Sequence, residues 1–467
     1  MDNSLLDDLA FRHRALGAVI GSAIGDALGA PFEFGEPRKY SKRFPRPVLG
    51  GIGELIGNQV WEPGEFTDDT QMAIVQAESI LARGGIDGAD LFKRFQVWAS
   101  GAKDVGVQTR AVLGSDLPWN ESARSYYQRN PNKGAGNGSL MRATPTAVRF
   151  AAASAEETFD AARHTSTVTH GDPAAAWGTA LFHLMIRAAL RGQDPFAALD
   201  AALADLPSDQ ARYREMLDVR WQPANTNLTN GTVWTCLAQA VWAVRTNADS
   251  FADAVTSAID LGGDTDTVAA VAGALAGARV GIQAIPSRWV TYVHGYITTP
   301  EGRRTYRAND LQDLTMRLLG STGAPEASLG RREGPTEIET GVFAADLGAA
   351  SGVDRDWAVL SLCRVGGCFS DHPIRREVFL LDDENNPGLS SVVEDCLSTI
   401  DAWRTEGRTV VVHCQGGASR TGLILRAWLM RKYGWSSVEA TKHLKSRWPC
   451  LGEWNESFTT FLRDRWR

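Results

Sequence analysis

Cys414 and Arg420 bracket a short glycine-containing loop, Cys-Gln-Gly-Gly-Ala-Ser-Arg, with Thr421 and Gly422 directly after it. The run Thr409–His413 leads into the loop and a helical pattern starts at Leu423. A strand, a glycine-rich loop and a helix in that order aim successive backbone N–H groups and the positive helix end at one anion. The same field favours a thiolate at Cys414, and the Arg420 guanidinium can hold two phosphate oxygens in a fork. These residue types suit nucleophilic displacement at phosphorus. A buried inert thiol is the ordinary fate of a cysteine, but it accounts for neither an arginine in register nor Gly416 and Gly417.

A second set of reactive groups is acidic. Thr67-Asp68-Asp69-Thr70 and Asp264-Thr265-Asp266-Thr267 each open a helix after a glycine turn, Pro63-Gly64 and Gly262-Gly263 respectively. Capping is one reading, because Asp and Thr at a helix start accept hydrogen bonds from free N–H groups and suit the positive dipole end. One cap residue suffices for that. Several carboxylates packed together repel each other at neutral pH unless a cation compensates them, and carboxylates with threonine hydroxyls are hard ligands suited to Mg²⁺ or Mn²⁺. Divalent-metal binding is the other reading.

Three further motifs accompany these clusters: Gly25-Asp26-Ala27-Leu28-Gly29-Ala30-Pro31-Phe32-Glu33, Gly136-Asn137-Gly138-Ser139-Leu140-Met141-Arg142, and Thr169-His170-Gly171-Asp172. Taken in order, the set resembles the ADP-ribosylglycohydrolase family, which includes the dinitrogenase-reductase-activating glycohydrolases, over roughly residues 10–300. The resemblance implies an all-α fold, two Mg²⁺ or Mn²⁺ ions in a central cleft, and hydrolysis of the bond from the anomeric ribose carbon of ADP-ribose to a protein side chain or other acceptor. It implies Thr67, Asp68, Asp69, Asp264, Asp266 and Thr267 as metal ligands. Glu33 would sit on a loop over the metals and position substrate and water, and Asp104 would lie near the scissile bond. Gly136, Asn137, Gly138 and Ser139 would bring backbone N–H groups to phosphate or ribose, where small residues permit a close approach. His170 would lie in the cleft near the ribose.

His413-Cys414-x5-Arg420-Thr421 resembles the cysteine-based protein tyrosine and dual-specificity phosphatase family, over roughly residues 338–467. That implies a cysteinyl-phosphate intermediate, no cofactor, and an Asp general acid some thirty residues upstream. Asp383 lies 31 residues before Cys414 and Asp382 lies 32 before it, so both are candidates. Asp383 is favoured because Leu389, six residues on, opens the next helical stretch. The loop residues Gln415, Gly416, Gly417, Ala418 and Ser419 would surround the phosphate. Thr421 would hydrogen-bond the sulfur, and His413 would orient the loop. Cys363 and Cys368 lack nearby His ligands, so ordinary packing is expected of them.

The elements that must hold these groups differ between the two ends of the chain. From residue 14 to about 320 apolar residues recur at helical spacing, as in Ala73–Leu81, Ala174–Leu190 and Val268–Val280, and an all-α domain is expected over 1–320. A Gly/Pro/Ser-rich stretch at 321–336 reads as a linker. Over 337–467 short apolar strands, Trp357–Leu362, Val378–Leu381 and Thr409–His413, alternate with helices Leu389–Trp403, Arg420–Tyr433 and Ser437–Arg447. That alternation predicts an α/β domain with a central, mostly parallel sheet.

Composition bounds the function. With 43% hydrophobic and 22% charged residues in 467, the chain can fill more than one core and is not disordered as a whole. Its 48 basic and 55 acidic residues leave a net charge of −7, and neither end carries an excess, so no nucleic-acid partner is indicated. Apolar runs are cut by Gly, Arg or Asp before the length of a bilayer, so neither a membrane partner nor a signal peptide is expected. Six scattered cysteines fit a reducing cytoplasm. The expected partners are an ADP-ribosylated protein or ADP-ribose-containing small molecule, and a phosphorylated protein or metabolite. The reading is a bifunctional hydrolase. Its alternatives are binding modules with one or both sites silent, or stepwise processing of a single phosphorylated ADP-ribose metabolite.

Overall fold

Helix α1 (Leu9–Gly29) starts where the Asp8 carboxylate accepts a hydrogen bond from the Ala10 N–H at 2.9 Å. Gly17, Gly21, Gly25 and Gly29 recur every four residues and so share one face. That face meets helix α8 (Thr265–Val280) backbone to backbone: a Cβ on Gly21 would stand 2.3 Å from the Gly273 carbonyl oxygen, and one on Gly25 would stand 2.0 Å from that of Ala269. Glycine is what allows two helices to approach so closely. At the end of the row a Cβ on Gly29 would lie 2.5 Å from Asp266 Cα, so α1 backs directly onto the acidic start of α8.

The computed structural model describes residues 5, 6, 8–321, 334–366, 368, 369, 372–384, 386–464 and 466. The chain divides into two units: Met1–Arg46 with Glu54–Ile285 and Tyr292–Ala324, and Pro47–Gly53 with Pro286–Thr291 and Pro325–Arg467. Most of the stretch read as a linker, 322–333, lies outside the described residues.

The first unit is built from helices around α1 and α8: α2 (Asp68–Arg83), α3 (Gly88–Ala99), α4 (Ala155–Thr167), α5 (Pro173–Leu190), α6 (Val233–Thr246), α7 (Phe251–Ile259), α9 (Ala308–Leu318) and shorter pieces. The three helices expected here all lie within α2, α5 and α8. The expectation of helix alone needs one correction. His294–Thr299 (β1) and Gly302–Arg307 (β2) form an antiparallel hairpin with Tyr296 opposite Thr305. Tyr, Ile and two Thr in a row favour extended backbone, and Gly302, at φ 119°, completes the turn.

A second correction concerns membrane-length segments. Leu9–Phe32 is long and apolar enough to cross a bilayer by length and composition, because Gly, Ala and Ser dilute its charge without ending the helix. Of its most apolar 18-residue window 94% is buried inside the protein, as in a core helix of a folded unit.

The second unit carries a five-stranded sheet of β3 (Thr336–Glu339), β4 (Val342–Asp346), β5 (Ala358–Ser361), β6 (Arg375–Glu377) and β7 (Val410–Cys414), in the order β3-β4-β7-β5-β6. Only β3 is antiparallel to its neighbour. Central β7 is flanked on both sides, and Val410, Val411 and Val412 are fully buried, as a continuous β-branched run requires. Helices α10 (Leu389–Thr405), α11 (Ser419–Tyr433), α12 (Ser437–Arg447) and α13 (Glu456–Asp464) complete the unit. The strand expected at Val378–Leu381 is instead Arg375–Glu377. Val378 and Leu380 are apolar because they fill the core, while the chain leaves the sheet at that point.

Candidate functional sites

In the first unit the two acidic helix starts converge. Thr67 is the N-cap of α2 and Asp264 that of α8. Thr267 Oγ1 donates to Asp69 Oδ1 at 3.3 Å, and carboxylate oxygens of Glu33, Asp264 and Asp266 lie within 4.8 Å of one another. Gly64 (φ 85°) and Gly263 (φ 72°) supply the left-handed turns that precede the two clusters. Asp104 lies close enough for its charge to act on both Asp68 and Glu33. The structure therefore gathers Glu33, Thr67, Asp68, Asp69, Asp104, Asp264, Asp266 and Thr267 into one neighbourhood.

Asp68, Asp69 and Asp266 all have pKa values pushed well above the ordinary carboxylate range, first by burial and then by neighbouring carboxylates: Asp104 and Asp26 for Asp68, Asp26 and Asp68 for Asp69, and Asp69 and Asp264 for Asp266. Glu33 is pushed to about 7 by burial and by Asp264, Asp104 and Asp26. Asp69 Oδ2 is buried with no hydrogen-bond partner among the described residues. An all-oxygen set in mutual repulsion, with an orphaned carboxylate oxygen, fits a hard divalent cation. Thr67, Asp68, Asp69, Asp264, Asp266 and Thr267, with Glu33 beside them, are the groups that could hold one.

Asp26 lies within the Gly25–Glu33 motif, where its sequence position alone marks no role for it. It is fully buried and accepts from the N–H groups of Thr67 (2.9 Å) and Thr70 (3.0 Å) and from Thr70 Oγ1 (2.6 Å). A carboxylate from α1 thus satisfies free amides at the start of α2 and fixes the first cluster. Asn137 Nδ2 donates to Asp264 Oδ2 at 2.8 Å, and the Asp264 N–H donates to Asn230 Oδ1 at 3.0 Å. Asn137, expected to meet substrate, therefore also aims a candidate ligand; Asn230 lies in no motif and carried no signal.

The glycine segment packs on His170. A Cβ at Gly136 would lie 3.3 Å from His170 Nε2, and one at Gly138 would lie 3.0 Å from Cε1. Gln108 Oε1 faces Gly136 as well, at 3.2 Å from the same Cβ position. His170 shares a 2.8 Å hydrogen bond with Thr169 Oγ1, and burial together with the Arg142 charge holds its pKa well below the usual range, so the ring is neutral. Ser139 Oγ is engaged inside the protein by Thr179 Oγ1 and Ser166 Oγ, which leaves its backbone as the part that could serve a ligand. Fully buried Arg142 donates to the Gly138 carbonyl at 2.6 Å and to that of Thr165 at 3.0 Å, and so sets the segment's path.

In the second unit β7 delivers Cys414 opposite Asp346 of β4, and α11 begins at Ser419. Gly417 turns the loop at φ 57°, and a Cβ there would stand 2.6 Å from the Ala345 carbonyl oxygen, so no other residue fits without displacing backbone. Gln415 and Gly416 are exposed, while Gly417, Ala418 and Ser419 are buried. Arg420 donates through Nη1 to the carbonyls of Leu380 (3.1 Å) and Leu362 (3.5 Å). Arg420 Nε and Thr421 Oγ1 are buried without hydrogen-bond partners among the described residues. Orphaned donors at a loop of amides suit an oxyanion.

His413 is fully buried between Ser361 Oγ (2.7 Å) and the Cys414 carbonyl (3.4 Å), and burial pushes its pKa down to about 4. Of the two upstream acids, Asp382 is tied to the loop: Ser419 Oγ donates to its Oδ1 at 2.6 Å and Asn455 Nδ2 donates to the same oxygen at 3.1 Å. The Asp383 carbonyl accepts from Asn386 Nδ2 at 3.2 Å. Asn455 was not expected at the site.

Residues 7–327 match the model of the family described as ADP-ribosylglycohydrolase, and residues 371–465 match that described as dual specificity phosphatase, catalytic domain. The chain is 32% identical over 294 residues to the ADP-ribosylarginine hydrolase Tri1 of Pseudomonas putida (strain GB-1), covering 60% of this chain and 74% of that protein. It is 29% identical over 283 residues to the ADP-ribosyl-[dinitrogen reductase] glycohydrolase of Rhodospirillum rubrum, covering 60% and 89%. A solved structure titled ADP-ribosylglycohydrolase-related protein complex superposes with a TM-score of 0.51 at 30% identity, over 67% of this chain and 99% of that one. The convergent acids of the first unit and the Cys-x5-Arg loop of the second thus belong to two hydrolase domains in one polypeptide: the chain is a member of the ADP-ribosylglycohydrolase family, joined at its C-terminal side to a dual-specificity phosphatase catalytic domain.

Proposed function

We propose that the first unit is a divalent-metal-dependent hydrolase releasing ADP-ribose from arginine side chains of modified proteins, and that the second is a cysteine-dependent phosphatase. The observation that carries the first half is the convergence of Glu33, Asp68, Asp69, Asp264 and Asp266 with carboxylates that repel one another. The relatives named as ADP-ribosylarginine hydrolases support arginine as the acceptor. Mg²⁺ or Mn²⁺ held by Thr67, Asp68, Asp69, Asp264, Asp266 and Thr267 would supply hydroxyl binding and an acidified water.

This chain's own groups do the rest. Asp26 fixes the start of α2 through the Thr67 and Thr70 amides, and Asn137 aims the Asp264 carboxylate, before substrate arrives. Glu33 and Asp104 stand beside the candidate metal ligands, where a proton from the attacking water can be received. Gly136–Ser139, shaped by Arg142 and His170, offers backbone to the diphosphate or ribose.

In the second unit Cys414 Sγ attacks phosphorus, forming the S–P bond as the P–O bond breaks. The leaving oxygen takes a proton from Asp383, which lies 31 residues before Cys414 and six before the helix that opens at Leu389. Water then cleaves the S–P bond, giving its proton to the Asp383 carboxylate and restoring the thiolate, with Arg420 and the loop amides holding the phosphoryl oxygens throughout. Thr421 Oγ1, buried without a hydrogen-bond partner among the described residues, would donate to the departing sulfur.

The experiment is a two-substrate assay on the full chain. Mn²⁺-loaded wild type releases ADP-ribose from an arginine-ADP-ribosylated protein and hydrolyses an aryl phosphate. Asp68→Ala/Asp69→Ala abolishes only the first activity and Cys414→Ser only the second. Equal ADP-ribose release by wild type and the double variant would sink the metal assignment.

A further inference from the structure

Beside Glu33 stands a residue the mechanism does not use. Phe34 has φ 54°, a left-handed conformation that a bulky aromatic seldom adopts, and Phe34 and Arg38 (φ 65°) on the same loop are the non-glycine residues with positive φ among those described. Two hydrogen bonds hold it there. The Phe34 N–H donates to the Gly263 carbonyl at 2.6 Å, and the Gly263 N–H donates to the Gly35 carbonyl at 3.1 Å. Gly263 directly precedes Asp264, so the strained residue is strapped to the loop that presents a candidate metal ligand.

Packing does not explain the strain. Phe32, two residues earlier, is buried against Tyr40 and Phe44 at ring separations of 5.4 and 6.4 Å. Phe34 is 82% exposed and makes no ring or cation contact among the described residues. An exposed aromatic held at the rim of a charged site, at a conformational cost, is a ring kept for something that arrives from solvent.

Charge selects the visitor. The groups next to Phe34 are Glu33 and, through it, Asp264, Asp266, Asp68 and Asp104. Glu33 and Asp104 lie outside the six metal ligands, and their charge at this rim disfavours the diphosphate of ADP-ribose and attracts a cation. A guanidinium is a planar, weakly hydrated cation that stacks on aromatic faces while its edge faces carboxylates. We propose that Phe34 is a specificity-determining residue of the ADP-ribosyl hydrolase, its ring taking the face of the arginine guanidinium on the acceptor side of the scissile bond. The inference rests on the arginine-acceptor reading above.

The test uses the full-length Mn²⁺-loaded protein, Phe34→Leu, which keeps apolar bulk without the π face, and Phe34→Tyr, which keeps the face. Two peptides carry the same ADP-ribosyl group on arginine or on serine, and calorimetry measures the Kd for free ADP-ribose. Phe34→Leu is expected to lose about three- to thirty-fold in kcat/KM on the arginine peptide, the range of a cation over a ring. It should change less than about two-fold on the serine peptide and leave the ADP-ribose Kd unchanged, and Phe34→Tyr should restore arginine turnover. Parallel losses on both peptides with a weaker ADP-ribose Kd would assign the ring to adenine or ribose and overturn the proposal. Unchanged arginine turnover in Phe34→Leu would also overturn it. Wild type that cleaves only the serine peptide removes the guanidinium role while leaving the hydrolase standing; wild type that cleaves neither removes both.

Discussion

Thr267 Oγ1 donates to Asp69 Oδ1 at 3.3 Å, joining residues 198 positions apart in the chain. This contact makes one site of two helix starts, because each start alone offers no more than a capped N-terminus. Asp69→Asn keeps the shape and the Thr267 contact but removes a charge. It is expected to weaken Mn²⁺ binding by at least about ten-fold, one lost charge–charge contact in a partly buried site being worth more than 1.4 kcal/mol. Calorimetric or paramagnetic Mn²⁺ titration of the full chain checks it, and aryl phosphate turnover should not change.

Metal-free protein should lose stability as pH rises. Asp26 is pushed to about 6 and Glu33 to about 7, and Asp68, Asp69 and Asp266 are raised as well, whereas carboxyls in the unfolded chain titrate near 4. Between about pH 4 and pH 7 the folded state therefore holds more protons than the unfolded state, and unfolding free energy falls with rising pH. Below about pH 4 both states are protonated and the dependence from these groups vanishes. Thermal melts with a chelator from pH 5 to 8 should show a falling Tm for the first unit. Saturating Mn²⁺ should flatten the slope; a chelated Tm that rises over this range would refute the account.

The glycine row of α1 makes a sharp stability prediction. In Gly25→Ala the new Cβ, fixed to the backbone of α1, would meet the Ala269 carbonyl oxygen in the backbone of α8 at 2.0 Å, and neither helix can yield locally. The expected loss is about 3 kcal/mol, at the upper end of ordinary overpacking. Gly85→Ala, where a Cβ meets nothing within 4 Å, should be close to neutral. Denaturant melts of the two variants compare them directly.

Asp382 and Asp383 should separate by leaving group. Asp382 Oδ1 receives Ser419 Oγ and Asn455 Nδ2, which ties its loop to the phosphate cradle. Asp383→Asn is expected to slow hydrolysis of a poor leaving group such as phenyl phosphate by about 10²–10⁴-fold, the usual worth of a positioned general acid. It should slow an activated nitrophenyl ester far less. Asp382→Asn should affect both substrates alike, through loop position. A leaving-group dependence in Asp382→Asn alone would exchange the roles.

The domain families and the main reactive groups were legible in the order of residues. Cys414 and Arg420 lie within one loop, Asp68 and Asp69 within one turn, and such local spacing survives any folding. The helices containing Ala73–Leu81, Ala174–Leu190 and Val268–Val280 and the strand Val410–Cys414 were equally readable, because apolar period and β-branching act locally. The hairpin at His294–Arg307 was hidden by the helical texture around it, and Val378–Leu381 was misread because a buried loop needs the same apolar residues as a strand.

Only the tertiary structure decided which groups hold the reactive ones. Asp26 reaches across from α1 to the amides of Thr67 and Thr70, Asn137 and Asn230 aim Asp264, and Arg142 sets the Gly138 carbonyl. The exposure of Phe34 and the commitment of Asp382 to Ser419 are likewise matters of packing. The physical reason is common to all of them. A motif records the atoms that do chemistry, whereas burial, mutual charge and the close approach of glycine-lined helices depend on segments that meet only when the chain is folded.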